Sequence, residues 1–260
     1  MIARTLLEKL SKRIDYKKAI LLFGPRQVGK TTLSKALAES LNQEYEYFNG
    51  DTLSTRSLWT LSNIEALKQS FGAKKLVVLD EAQMVEQIGL ICKQLIDAAL
   101  GIQFIITGSS SLTIANKTQE PLTGRKWEYS LYPISSQELI AYQGIPQFLE
   151  SLPQYLIYGM YPEVVMNNLD AKEILNNIAN SYLYKDILAL TGLKRPQLLE
   201  KILKALAWQV GSEVSMNELA GLVSADAKTV ENYIYLLEQV FVVYRLGVLS
   251  RNERDRKSVV

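Results

Sequence analysis

The chain has no histidine and a single cysteine, Cys92, among its 260 residues. Without histidine there is no imidazole acid–base catalysis, no Ser-His-Asp triad and no usual zinc-enzyme ligand set. One cysteine allows no internal disulfide, which suits a reducing compartment. Cys92 lies in an apolar helical stretch and reads as a core residue rather than a nucleophile. Long apolar runs are also lacking: none approaches the roughly 18 residues of a membrane-spanning helix. The N-terminus, Met1 to Lys9, carries charge too early for a signal peptide. Nor does charge of one sign dominate, because 29 basic residues face 27 acidic ones for a net charge of +2. Any basic patch for a polyanion must therefore be local. These absences predict a soluble, cytoplasmic protein with no membrane partner. What is plentiful is apolar surface. Hydrophobic residues make up 48% of the chain, enough for a sizeable core, and the length suits about two domains.

Apolar runs of strand length alternate with helical periodicity in the first half. Residues 3–13 read as an amphipathic helix, followed by a strand at 19–23 and a helix to about Leu41. A short aromatic strand, 45–48, ends at the turn signal Asn49-Gly50-Asp51. Helical patterns follow at 63–71 and 85–100, and strands at 76–79, 104–106 and 127–132. Strands alternating with helices predict a parallel sheet covered on both faces, an α/β architecture. After about Pro133 the pattern turns almost wholly helical, with the longest candidate over 171–190. Three further helices, 198–210, 215–223 and 226–238, and a strand at 240–246 give the order of a winged helix-turn-helix. Ser215 and Ser224 are its N-cap candidates. The expected division is an α/β domain at 1–135, a helical linker or lid at 136–194, a winged-helix-like domain at 195–250 and a charged tail at 251–260.

Chemistry concentrates where the strands end. Gly24-Pro25-Arg26-Gln27-Val28-Gly29-Lys30-Thr31 fits G-x-x-x-x-G-K-[ST], the phosphate-binding loop of P-loop nucleotide hydrolases, and it lies between a strand and a helix as that loop must. Its glycines let backbone N–H groups curl toward a phosphate, and the following helix adds its N-terminal dipole. The binding set is Gly24, Pro25, Arg26, Gln27, Val28, Gly29, Lys30, Thr31 and Thr32. Lys30 would reach the β/γ-phosphates, and the Thr31 hydroxyl would hold Mg²⁺. The strand at 76–79 runs into Asp80-Glu81-Ala82-Gln83. Asp80 is placed to hold Mg²⁺ through water, and Glu81 to polarise the attacking water. The strand at 104–106 ends in Thr107-Gly108-Ser109, where Thr107 or Ser109 could sense the γ-phosphate. Arg125 and Arg26, and more weakly Arg56, are the candidates for neutralising transition-state charge. Asn116-Lys117-Thr118-Gln119 lacks the acid that reads guanine, so ATP is favoured over GTP.

The motifs GPRQVGKTT (24–32), LVVLDEAQ (76–83), ITGSSS (106–111) and LTGRKWEYSLYPIS (122–135) occur in this order in uncharacterised prokaryotic ATPases of the AAA/STAND-like branch, and the chain resembles that family over essentially its whole length. Residues 158–163 and 181–187 look like it too. The resemblance implies a sheet of order 5-1-4-3-2, ATP and Mg²⁺ as cofactors, and Lys30, Thr31, Asp80 and Glu81 in the roles above. Family members usually continue into a C-terminal nuclease-like domain. Ending at Val260, this chain looks like a short or truncated member.

On the third winged-helix element, Lys228, Thr229, Asn232 and Tyr235 would face outward and Val230, Ile234 and Leu237 inward. Lys228 and Thr229 sit where DNA bases are read, but Glu231 and Glu238 share the helix, so the DNA-binding footprint is weak. The expected function is MgATP binding and slow hydrolysis controlling the helical and winged-helix parts, with an arginine from a protein partner or a homo-oligomer. The alternative is a nucleotide-gated DNA- or protein-binding switch with little turnover. A small-molecule phosphotransferase is disfavoured by the acidic pair.

Overall fold

Two of the five strands are short aliphatic runs with no polar face, AILLF and LVVLD, so both of their faces must be covered. The computed structural model, which describes residues 2–109, 122–182 and 195–246, places them in one parallel sheet. The strands are β1 (Ala19–Phe23), β2 (Tyr45–Asn49), β3 (Leu76–Asp80), β4 (Gln103–Gly108) and β5 (Lys126–Ser130), in the order β2-β3-β4-β1-β5. This is the expected P-loop order. β1 lies between β4 and β5, so the chain reverses its direction of travel across the sheet there. A crevice opens at such a switch point, outside the carboxyl ends of the strands. The register brings Phe23 level with Gly108 and Ser130, and Asn49 level with Asp80. One edge of the sheet therefore collects the loop after β1, the acidic end of β3 and the hydroxyl-rich end of β4.

Helices α1 (Thr5–Ser11) and α2 (Lys30–Ser40) cover one face. Leu10, Leu33 and Leu37 pack there on Ile20, Leu22, Val78 and Ile105. An aromatic cluster forms at β2 and β4: Phe48 meets Trp59 and Phe71 edge-on, and Phe71 meets Phe104. Trp59 follows a short helix, α3 (Leu53–Leu58), that the periodicity did not announce. Its six residues are too few for a repeat, and the signal is its cap, the Thr52 side chain accepting from Thr55 N–H. α4 (Ile64–Ser70) and α5 (Ile88–Asp97) complete the layer. α5 is shorter than the expected 85–100 because Val85 is extended and Gln87 and Ala99 take left-handed conformations at either end.

Helices α6 (Ser136–Gln143), α7 (Ile145–Tyr158), α8 (Pro162–Met166) and α9 (Ala171–Tyr182) follow the sheet. The expected continuation of the last helix to 190 lies outside the described residues, as do Ser110, Ser111, the 116–119 segment and the charged tail. Residues 1–178 and 179–260 form two compact units. In the second, α10 (Pro196–Ala207), α11 (Met216–Val223) and α12 (Ala227–Gln239) close around Ile202, Leu219, Val230, Ile234 and Leu237. Three helices therefore stand where three were expected, with two local corrections. The cap of α12 is Asp226, whose carboxylate accepts from Thr229 N–H, while Ser224 instead closes α11 in a left-handed conformation; Ser215 stands at the N-cap of α11 as expected, without a side-chain cap bond. Over its first residues, 240–242, the expected strand at 240–246 is instead a turn and bend. Phe241 is left-handed, and Val242 and Val243 N–H return to the Leu237 carbonyl, which spends on the end of α12 the donors a strand would need. Glu213 and Leu246 each make an isolated bridge. Among the described residues no helix is long and apolar enough to cross a membrane.

Candidate functional site

The loop after β1 is held by its neighbours before any ligand is considered. Gly24 has φ +153°, and a Cβ there would come within 2.1 Å of the Leu131 carbonyl oxygen at the end of β5. Only glycine fits. Lys30 opens α2 and is buried, with its Nζ folded back on the Gly24 and Pro25 carbonyls at 2.9 and 2.7 Å. An anion would compensate the charge of this buried ammonium far better than two carbonyl dipoles do. Next to it, Thr31 Oγ1 donates to Asp80 Oδ2 at 2.6 Å. The two proposed metal-binding oxygens therefore touch, although 49 positions separate them in the chain.

Asp80 is buried, and three hydroxyls converge on it. Thr31 and Tyr47 (2.8 Å) donate to Oδ2, and Thr107 donates to Oδ1. Thr107 is fully buried between β3 and β1 and also accepts from Glu81 N–H at 3.3 Å. It therefore orients the acidic pair, while Ser109 accepts from Gln83 Nε2 at 3.0 Å. Glu81 adopts a left-handed conformation, φ 50° and ψ 44°. For a non-glycine residue that geometry costs about 1 kcal/mol and is found where surrounding structure enforces it. Here the enforcement is visible. Gly50 N–H donates to the Asp80 carbonyl at 2.8 Å, and a Cβ on Gly50 would meet the Glu81 carbonyl oxygen at 2.3 Å. The Glu81 carboxylate accepts from Gln83 Nε2. Burial, the hydrogen bond to Asp80 and the charges of Asp80 and Glu81 push the Tyr47 phenol above its ordinary value.

An apolar cavity of about 210 Å³ adjoins the loop, lined by Ile2, Val28, Leu33, Ala36, Ile134 and Pro162 together with Gly29 and Thr32. The N-terminal segment forms one wall and is tied down by Arg4, whose guanidinium donates to the Val28 carbonyl (2.8 Å), the Tyr132 carbonyl (2.6 Å) and Glu138 Oε1 (3.1 Å). Glu138 also completes the capping box of α6 with Ser135 and accepts from Thr5 N–H at 2.8 Å. Burial pushes its carboxyl up, but the Ser135 and Thr5 backbone donors and the Arg4 charge outweigh that and hold it below the usual carboxylate range.

The structure thus brings together the loop residues 24–32, Asp80, Glu81, Thr107 and Ser109. It does not bring Arg125 to them. Arg125 precedes β5, where Lys126 is level with Ala19, and its Nε is paired with Asp97 at 2.5 Å. At the ordinary strand rise it stands roughly 16 Å down the sheet from the loop. Arg26 lies within the loop and is half-buried. Cys92 is fully buried, and that burial pushes its thiol up to about 12, as a core residue requires. Tyr47, Gln83, Arg4, Glu138 and the cavity-lining residues outside the loop were not found from sequence. Tyr47, Arg4 and Glu138 act through partners reached only when the strands assemble, whereas Gln83 bonds Glu81 two positions away and Ser109 across the sheet.

Residues 16–140 match the family model of an AAA domain, and residues 149–260 match that of a domain of unknown function, DUF8612. An uncharacterised protein of Haemophilus influenzae is 26% identical over 254 residues, covering 90% of this chain and 63% of the relative. An uncharacterised protein of Mycobacterium tuberculosis is 24% identical over 255 residues, covering 96% of this chain and 55% of the relative. The chain thus spans less than two thirds of the length of either relative. Among solved structures, the RuvB Holliday junction branch migration motor of Thermotoga maritima is 20% identical with a TM-score of 0.39, covering 96% of this chain and 87% of that one. Pif1 helicase from Candida albicans is 15% identical with a TM-score of 0.38, covering 59% and 44%. Likeness at that level adds nothing to the fold, which rests on the strand order. That order gives the sheet the P-loop nucleoside triphosphatase fold, and the AAA-domain model matches the residues that build it.

Proposed function

We propose that the carboxyl edge of the sheet binds MgATP and hydrolyses it slowly. The observation that carries this reading is the contact of Thr31 with Asp80 beside the buried Lys30, on a loop that also borders an apolar cavity. The loop N–H groups and the start of α2 receive the phosphates. Lys30 exchanges the Gly24 and Pro25 carbonyls for phosphate oxygens. Adenine suits the cavity, which offers an apolar enclosure with Pro162 and Ile134 on its walls. Thr31 and Asp80 suit Mg²⁺ because that ion keeps several waters and takes few protein ligands. Mg²⁺ supplies neutralisation of charge on the β- and γ-phosphates. Glu81 orients the attacking water and accepts its proton, and Gln83 and Ser109 hold Glu81 at the cleft. Arg26 lies within the loop itself; a further arginine from a partner or a second copy would raise a slow basal rate.

The test is phosphate release from MgATP by the purified chain, with Lys30→Ala and Glu81→Gln beside it. Turnover is expected to fall at least about a hundred-fold in each, with ATP still bound by Glu81→Gln. Equal turnover in all three would refute the assignment.

A second reading, a nucleotide-gated switch with little turnover, draws on two observations: Arg125 stands away from the loop, and the Glu81 carboxylate is engaged by Gln83. Its output would run through the second unit. DNA is the weaker candidate partner there, because both the N–H and the hydroxyl of Thr229 are spent on Asp226, leaving Lys228 as the basic side chain of the first turn of α12. Trp208, 87% exposed, and Val210 beside it suit a protein partner better. Tight Lys30-dependent ATP binding with no phosphate release would establish this reading over the first.

A further inference from the structure

We infer that Tyr47 is a positioning residue for Asp80, holding its carboxylate in the orientation needed to meet a hydrated divalent cation. The inference rests on the reading of Asp80 as the Mg²⁺-facing carboxylate. Asp80 Oδ2 accepts two hydrogen bonds, from Thr31 Oγ1 at 2.6 Å and from the Tyr47 hydroxyl at 2.8 Å, while Oδ1 accepts from Thr107. The three donors come from α2, β2 and β4, so each holds the carboxylate from a different element. Their roles differ. A hydroxyl that binds a cation through an oxygen lone pair keeps its proton, so Thr31 would serve the cation and Asp80 together. Thr107 on Oδ1 and Tyr47 on Oδ2 are donors without that second duty, one on each oxygen, and together they fix the plane of the carboxylate. Without Tyr47, Oδ2 would be held by Thr31 alone, the donor that also faces the cation.

The strand register explains why Tyr47 can do this. Tyr47 lies level with Val78 on β3, two residues before Asp80, and its long side chain reaches forward along the strand to the carboxylate. The Lys35 ammonium of α2 sits over the ring, 4.6 Å from its centroid, and gives the ring a second contact. Donors of this kind behind a metal-facing carboxylate typically carry about 10–100-fold in metal affinity or activity.

Tyr47→Phe keeps the ring and its contact with Lys35 and deletes only the hydroxyl. The measurement is equilibrium binding of a fluorescent ATP analogue during a Mg²⁺ titration, together with binding in excess EDTA. The Mg²⁺ concentration for half-maximal tight binding is expected to rise about ten-fold in the variant, with metal-free affinity and the unliganded melting temperature close to wild type. A role limited to packing would move the melting temperature and leave the Mg²⁺ requirement alone. An unchanged requirement overturns the inference. A lowered one overturns it too, by showing that the hydroxyl competes with the cation. Failure of the underlying reading looks different: wild-type protein would bind no nucleotide, or would bind it as well after Lys30→Ala, and the inference would fall with it.

Discussion

The two compact units bury different chemistry. Among the described residues every buried polar or charged side chain falls in the first: Lys30, Ser34, Thr55, Asp80, Gln103, Thr107, Ser109 and Glu138. The core of the second is built from Leu, Ile, Val and Ala with Tyr233, whose hydroxyl bonds to the Arg195 carbonyl at 3.4 Å. A buried polar group costs free energy unless it is hydrogen-bonded, whereas an aliphatic core does not raise that cost. Four of the eight, Lys30, Asp80, Thr107 and Ser109, collect at the carboxyl edge of the sheet, where packing alone gives no reason for them. That half of the molecule carries chemistry inside its fold. Among the described residues of the second unit, polar groups such as Lys228 stand at the surface, as does the exposed Trp208.

The largest expected effect that would break this contrast is in the first unit. Gly24→Ala must move the Leu131 carbonyl or the loop itself, because the added carbon would lie 2.1 Å from that oxygen. Loss of both nucleotide binding and more than about 3 kcal/mol of stability is expected, measured by denaturant titration and ATP binding together. Next comes Leu237→Ala, at the fully buried centre of the second core. It should cost about 2–4 kcal/mol in that unit's unfolding transition and leave ATP affinity unchanged. Loss of affinity would show that the second core supports the site.

A smaller effect sharpens the contrast through pH. The Glu138 carboxyl is held below its ordinary value of 4.5 in the folded chain. A depressed carboxyl stabilises the fold above its unfolded value, and that contribution drains away as pH falls through the folded value. The melting temperature should therefore drop between about pH 4.5 and the more acidic folded value, and Glu138→Gln should flatten that drop. At neutral pH the variant leaves Arg4 without its carboxylate, for about 2–3 kcal/mol. No change in the acid limb would remove Glu138 as the anchor of the N-terminal wall.

What the sequence made legible follows from distance along the chain. Lys30 and Thr31 sit in a loop of fixed spacing, and Asp80-Glu81 end an aliphatic strand, so local pattern identified them. Arg4 and Glu138 are 134 positions apart and Tyr47 and Asp80 are 33 apart; their pairing exists only once β2, β3 and β5 take their places. Arg125 shows the converse error. It lies in a motif that travels with the ATPase signature, but it precedes β5, and residues that precede a parallel strand stand at the amino edge. The strand expected at 240–246 was read from an apolar run, Val240 to Val243, whose backbone donors close α12 instead. β-propensity describes a fit to a half-buried surface, and here a helix end claimed that fit.

The most direct test of the account compares ATP with inorganic tripolyphosphate by calorimetric titration in wild type, Lys30→Ala and Ala36→Phe. Lys30 serves the phosphates, and Ala36 lines the apolar cavity. The account predicts that Lys30→Ala loses both ligands, while Ala36→Phe loses the preference for ATP and keeps tripolyphosphate. ATP binding that survives both substitutions would contradict it.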